Sequence, residues 1–181
     1  MKAREIMTPN PVCCRISDTA EDVARALIHW NIGCVPVLSD TNPARIEGIV
    51  TDRDICVSVV ALGLNPKTTT VGSFLTRDPV TCSPEQSLTS CQRLMQMRQV
   101  RRIPIIDQSG TCVGILSQAD VARWASAENV HKTMLEISRP QETFACPSEF
   151  PSGTLSIIRQ PPIELQMYGA AWQISIDASA A

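Results

Sequence analysis

Between Thr19 and Trp30 apolar residues recur as Ala20, Val23, Ala24, Leu27 and Ile28, the spacing that gives a helix one buried face. Thr19 stands where a cap belongs, with a side chain able to bond the amide near Asp22. Before this helix, the proline-bounded run 12–14 reads as a short strand. After it, the β-branched runs 34–39 and 46–50 flank the turn-rich DTNPAR and predict a hairpin. A second helix is expected from Asp52 or Arg53 to near Gly63, a C-cap, with Pro66 beyond it. Its residues Ile55, Cys56, Val57, Val59, Val60 and Leu62 surround the axis rather than forming one stripe. Such a helix is buried on several sides or awaits a partner.

The same pattern returns further along the chain. Sliding the sequence along itself lays IMTPNPVCC over FLTRDPVTC, pairing Thr8 with Thr76, Pro11 with Pro79, Val12 with Val80 and Cys14 with Cys82. Thr19 then meets Ser87, Leu27 meets Met95, and GCVPVL meets RRIPII with Pro36 on Pro104. After a short net deletion GIVTDRDI falls on GILSQADV, so Thr51 matches Ser117 and Asp54 matches Asp120. The second copy thus predicts a strand at 80–82, a helix at 88–98, strands at 102–106 and 112–116, and a helix at 119–125. A copy of about 60 residues is small for a core of its own, so two copies sharing one core are expected. The chain divides into repeats 1–67 and 68–127, a helical extension 128–140 and a tail 141–181. The tail has several prolines and no lysine; IELQMY and WQISID alternate weakly, so it reads as an appended hairpin or a poorly ordered segment, with Tyr168 and Trp172 available to dock.

Composition adds exclusions. The net charge of −2 provides no field for a polyanion, which argues against nucleic-acid binding. With 44% apolar and 19% charged residues the chain is globular rather than solvating. No apolar run approaches a bilayer span and MKAREIMTPNP has no signal-peptide core, so no membrane association and a cytoplasmic location are expected. The 8 cysteines include no CxxC pair, and several sit inside apolar runs, the pattern of small apolar residues in a reduced core. Cys13 and Cys14 are adjacent, and neighbours on a strand face opposite ways, which makes them poor joint metal ligands.

MTPNPV, VPV and GIVTDRDI, repeated as FLTRDPV, RRIPII and GILSQADV, resemble the CBS domain, the family named after cystathionine β-synthase. The landmarks cover residues 1 to about 127 in the right order, twice, so the chain resembles a stand-alone tandem pair; the segment ending HKTMLEISRP is similar to the extension that follows some such pairs. The resemblance implies an α+β fold with α/β-like alternation: two βαββα repeats related by a pseudo-two-fold axis, sheets packed together and helices outside. It implies two clefts for an adenosine-containing ligand (AMP, ADP, ATP, less often S-adenosylmethionine), a homodimer formed through helices, and sensing rather than catalysis.

Thr51 with Asp54, and Ser117 with Asp120, fall at strand-to-helix junctions. The pairing is a capping-box variant, and the same geometry offers amides to a phosphate and a carboxylate to ribose hydroxyls, so capping and binding coexist. The resemblance assigns the base to Val12 and Val35 in one copy and Val80 and Ile103 in the other, positions equally suited to ordinary core residues. It assigns phosphate to Arg101 and Arg102, which alternation points to opposite sides. Copy one has Gly33 and Cys34 there, with Arg53 inside its TDRD turn as a substitute cation or a plain surface residue. Against catalysis stand two histidines with no nucleophile pattern beside them, and the lack of a phosphate loop, GxGxxG or HExxH. The rival to a sensor is a ligand-free dimerisation or partner-binding platform; the effector that would read the ligand state is unknown.

Overall fold

The computed structural model describes residues 1–42, 45–140, 165–168 and 171–174. The first repeat runs α1 (Ala3–Ile6), β1 (Thr8–Pro9), β2 (Cys14–Arg15), α2 (Ala20–Trp30), β3 (Cys34–Leu38), β4 (Ile46–Thr51) and α3 (Asp52–Ile55). The second supplies β5 (Thr76–Arg77), α4 (Leu88–Arg98), β6 (Arg102–Ile106), β7 (Cys112–Ser117) and α5 (Gln118–Trp124), followed by α6 (Ala127–Ile137). These elements form one unit, Met1–Pro140. A separate unit begins at Gln141, in which β8 (Leu165–Tyr168) and β9 (Ala171–Ile174) pair antiparallel with Leu165 opposite Ile174. The rest of the tail, and the side chains of Tyr168 and Trp172, lie outside the described residues.

The repeat holds in the backbone. Asn10 and Asp78 share a φ of 49°, and Asn31 and Gln99 a φ of 50°, left-handed positions that Asn and Asp adopt most readily. Both α2 and α4 have 11 residues and end on such a cap. Each hairpin is irregular one step before its first strand ends, at Val37/Leu38 and at Ile105/Ile106.

The repeats exchange their leading strands. One sheet has the order β1-β7-β6 and the other β2-β3-β4-β5. Thr8 of copy one thereby lies opposite Ile115 of copy two, and Thr76 of copy two opposite Ile49 of copy one. Matched glycines admit the crossing. A Cβ at Gly48 would overlap Leu75 Cδ1 and lie 2.5 Å from the Thr76 carbonyl oxygen, while one at Gly114 would overlap Met7 Sδ.

The expected single shared core is corrected to two. Cys14, Val23, Leu27, Val35, Val37, Val50 and Ile55 cluster in copy one, Leu88, Met95, Ile103, Ile105, Leu116 and Val121 in copy two. Interdependence comes from the exchange: Ala3 and Ile6 enter the second core and Val71 the first. The strand expected at 12–14 is β2 instead, with Cys14 parallel to Val37, and at 80–82 only a Cys82–Ile105 bridge forms. Pro11 and Val12, like Pro79 and Val80, occupy the crossover between sheets, where neither ladder is available.

In α2, Ala20, Val23 and Leu27 are buried but Ile28 is 83% exposed. At about 100° per residue Ile28 stands roughly 80° from Ala20, on the rim of the stripe. The second helix is α only for Asp52–Ile55 and then widens into a π turn, Cys56–Val60, closed by the Ala61 amide on the Cys56 carbonyl at 2.9 Å. Ile55 and Val59 are buried, whereas Val57, Val60 and Leu62 are exposed. Helix α6 docks on α4 through a buried polar contact. Gln92 and Gln96 donate from Nε2 to Thr133 Oγ1 at 3.1 and 2.9 Å, and Thr133 donates to the Asn129 carbonyl at 2.7 Å.

Among the described cysteines Cys14, Cys34, Cys82 and Cys91 are buried, Cys13 and Cys112 half-buried, and Cys56 exposed, which departs from a purely core role. Cys146 lies outside the described residues. Among the described residues no helix is long and apolar enough to cross a membrane.

Candidate functional site

Because the leading strands are exchanged, the concave surface of the unit is built from both repeats. A cleft of about 550 Å³ has one wall from Thr8 and Asn10–Val12, a second from Trp30–Cys34 at the end of α2, and a third from Ile115 and Ser117–Ala119 of copy two, with Arg102 between. This volume lies within the usual range for small-molecule sites.

The third wall is shaped by a reciprocal cap. Ser117 leaves β7 with φ −112° and ψ 164°, and its Oγ accepts from the Asp120 amide at 3.3 Å. In return Asp120 Oδ2 accepts from the Ser117 amide at 2.8 Å and the Ser117 hydroxyl at 2.6 Å. Thr51 and Asp54 repeat the arrangement, with 2.8 Å for both bonds to Asp54 Oδ2. Each cap uses Oδ2 alone. Oδ1 of neither aspartate accepts a hydrogen bond within the described residues, so capping leaves one acceptor uncommitted.

Arg102 is the one cation lining this cleft. Its guanidinium occupies the space a side chain at residue 33 would need: a Cβ on Gly33 would sit 2.8 Å from Nη2 and 3.4 Å from Cζ. Burial pushes the neighbouring Cys34 thiol up to about 11, with Arg102 pulling against it and Asp52 adding to it. Cys34 is therefore a neutral wall beside a cation. Arg53, Arg98, Arg101 and Arg102 form no ion pair among the described residues.

Of the residues singled out from sequence, Val12, Arg102 and Ser117 meet in this cleft. Asp120 lies behind Ser117 at 6% exposure. Val35 and Ile103 are fully buried in the two cores and do not line it, and Val80 packs against the second core. Thr51, Arg53, Asp54 and Arg101 also lie outside it. The sequence reading missed Trp30 and the pairing of one copy's leading segment with the other copy's helix start. The spacing gave no signal for Trp30, which stands three residues after Leu27 and seven after Val23 and so continues the apolar stripe of α2, yet is 58% exposed at the helix end. Among the described residues no group of three or more His, Cys, Asp or Glu side chains is placed to hold a metal ion.

A family model for the CBS domain matches residues 3–60 and 71–138, one match per exchanged repeat. The chain belongs to the CBS-domain family. This CBS pair is 35% identical over 122 residues to hypoxic response protein 1 of Mycobacterium tuberculosis, covering 67% of this chain and 82% of that protein. A crystal structure of hypoxic response protein I with two coordinated zinc ions superposes with a TM-score of 0.63 at 32% identity, over 70% of this chain and all of that one (100%). A CBS domain protein from Pyrobaculum aerophilum complexed with AMP shares the fold, with a TM-score of 0.63 at 20% identity over 75% of this chain and 99% of that one.

Proposed function

We propose that this CBS pair is a cytoplasmic regulatory sensor that binds an adenosine-containing ligand, of the AMP, ADP or ATP type or S-adenosylmethionine, and does not turn it over. One observation carries the reading: an apolar slot at Val12 and Ile115, an unpaired guanidinium at Arg102 and the Ser117 cap at the start of α5 converge on one cleft between repeats. The cap is held by Asp120, a buried residue outside the lining whose second carboxylate oxygen is spare. The base enters the slot, the phosphate meets Arg102, and Asp120 Oδ1 takes a ribose hydroxyl. Thr51 and Asp54 take the corresponding roles on the opposite side. The AMP bound by the Pyrobaculum aerophilum protein supports this class of ligand.

A second reading is favoured by Val57, Val60, Leu62 and Trp124, all more than half exposed and apolar. They suit a homodimer interface, and with empty clefts the pair would serve as a platform for a partner protein. Calorimetric titration with AMP, ATP and S-adenosylmethionine separates the two. Heat and a raised melting temperature with at least one of them are expected; no response to any at millimolar concentration overturns the sensor and leaves the platform.

A further inference from the structure

The residues lining the described cleft have repeat-matched positions on the opposite side of the pseudo-two-fold axis, and the two sets carry different chemistry. Their frames correspond: Thr8 faces Ile115 as Thr76 faces Ile49, and the left-handed Asn31 and Gln99 close matching helices. On the described cleft the frame carries Trp30, Gly33 and Ala119. At the matched positions of the opposite side stand Arg98, Arg101 and Arg53, each exposed and without an ion pair among the described residues. Three uncharged positions are thus exchanged for three cations.

Resting on the sensor reading above, we propose that the two clefts take different ligands: the Trp30 side an adenine nucleotide with one phosphate, the Arg98 side one with a polyphosphate chain. A single phosphate carries a charge of about −1.5 to −2, of which the lone guanidinium of Arg102 offsets about half or more. A triphosphate carries roughly twice that, and the Trp30 cleft has no second cation to receive it. Trp30 instead offers a flat aromatic face, 58% exposed and braced edge-on by His29 with ring centroids 5.0 Å apart, on which a base stacks without regard to phosphate number. On the opposite side Arg98 ends α4 and Arg101 immediately precedes β6, which puts two exposed cations at the start of that strand. Arg102 belongs to both sides. It lines the Trp30 cleft, and on β6 it holds the place that Cys34, another lining residue of that cleft, holds on β3.

The test is calorimetry on the full chain with AMP, with ATP, and with ATP added to AMP-saturated protein, repeated for Arg98→Ala/Arg101→Ala and for Trp30→Ala. Wild-type protein saturated with AMP is expected to bind further ATP. The arginine variant should lose at least tenfold in ATP affinity while AMP stays within about twofold, and Trp30→Ala should reverse that order. ATP that only displaces AMP at a single site overturns the proposal and leaves the sensor intact, as do variants that weaken both nucleotides equally. No heat with either nucleotide in the wild type overturns the sensor, and this proposal with it.

Discussion

Replacing Gly48 or Gly114 by alanine probes the strand exchange on which the cleft depends. At Gly114 the three atoms nearest the new methyl all belong to the Met7 side chain, which it overlaps at Sδ and meets at 2.9 Å from Cγ and 3.2 Å from Cε. A methionine end swings aside, so Gly114→Ala should cost about 1 kcal/mol, the low end of overpacking. At Gly48 the methyl meets Leu75 Cδ1 and also the Thr76 carbonyl oxygen at 2.5 Å. That oxygen belongs to β5, whose backbone pairs with β4, so the strand itself must move. Gly48→Ala should cost about 3 kcal/mol, the upper end. With a melting shift of about 2–4 °C per kcal/mol for a chain of this size, the two variants separate clearly in a thermal melt. Urea denaturation of single and double variants gives the coupling. Met7→Ala should rescue most of the Gly114→Ala loss, by about 1 kcal/mol relative to additivity, whereas Leu75→Ala should rescue Gly48→Ala only in part. Equal costs at the two glycines, or strict additivity of Met7→Ala with Gly114→Ala, would refute the claim that the exchanged strands press on these positions.

Asp120→Ala removes two capping bonds and should lower stability by about 0.5–2 kcal/mol; if the spare oxygen holds the ligand, nucleotide affinity falls well beyond what Ser117→Ala causes, and equal effects in calorimetry would assign Asp120 to capping alone. Thr133→Val removes the 3.1 Å acceptor of the buried Gln92 amide, which keeps a 3.4 Å bond to the Asn129 carbonyl, and should cost about 1 kcal/mol in urea denaturation; a neutral result would mean α6 is held by its apolar contacts. Burial pushes Cys14 up to about 12 and Cys34 to about 11, so at pH 8 a thiol reagent should modify exposed Cys56 quickly and these two only on unfolding. Since both folded values lie above the unfolded one, the stability they contribute is full below about pH 8.5 and declines as pH rises through the folded values; a urea midpoint constant from pH 8 to 11 would contradict this.

The sequence alone determined what depends on local spacing. The stripe of α2, the cap pairs Thr51–Asp54 and Ser117–Asp120 and both hairpins follow from residues close along the chain, the repeat follows from the recurrence of that local pattern, and the structure has them at the expected places. Tertiary structure decided which copy each piece serves. Thr8 and Thr76 look alike in sequence whether they pair at home or across the axis. Only the joint packing of both halves, with Ala3 and Ile6 in the second core and Val71 in the first, selects the crossed arrangement. That choice put Val12 beside Ser117 rather than Thr51. It also brought Arg102 over Gly33. The physical reason is the range of the forces: caps and periodicity act through hydrogen bonds a turn apart, whereas burial is gained wherever apolar surfaces meet, however distant along the chain.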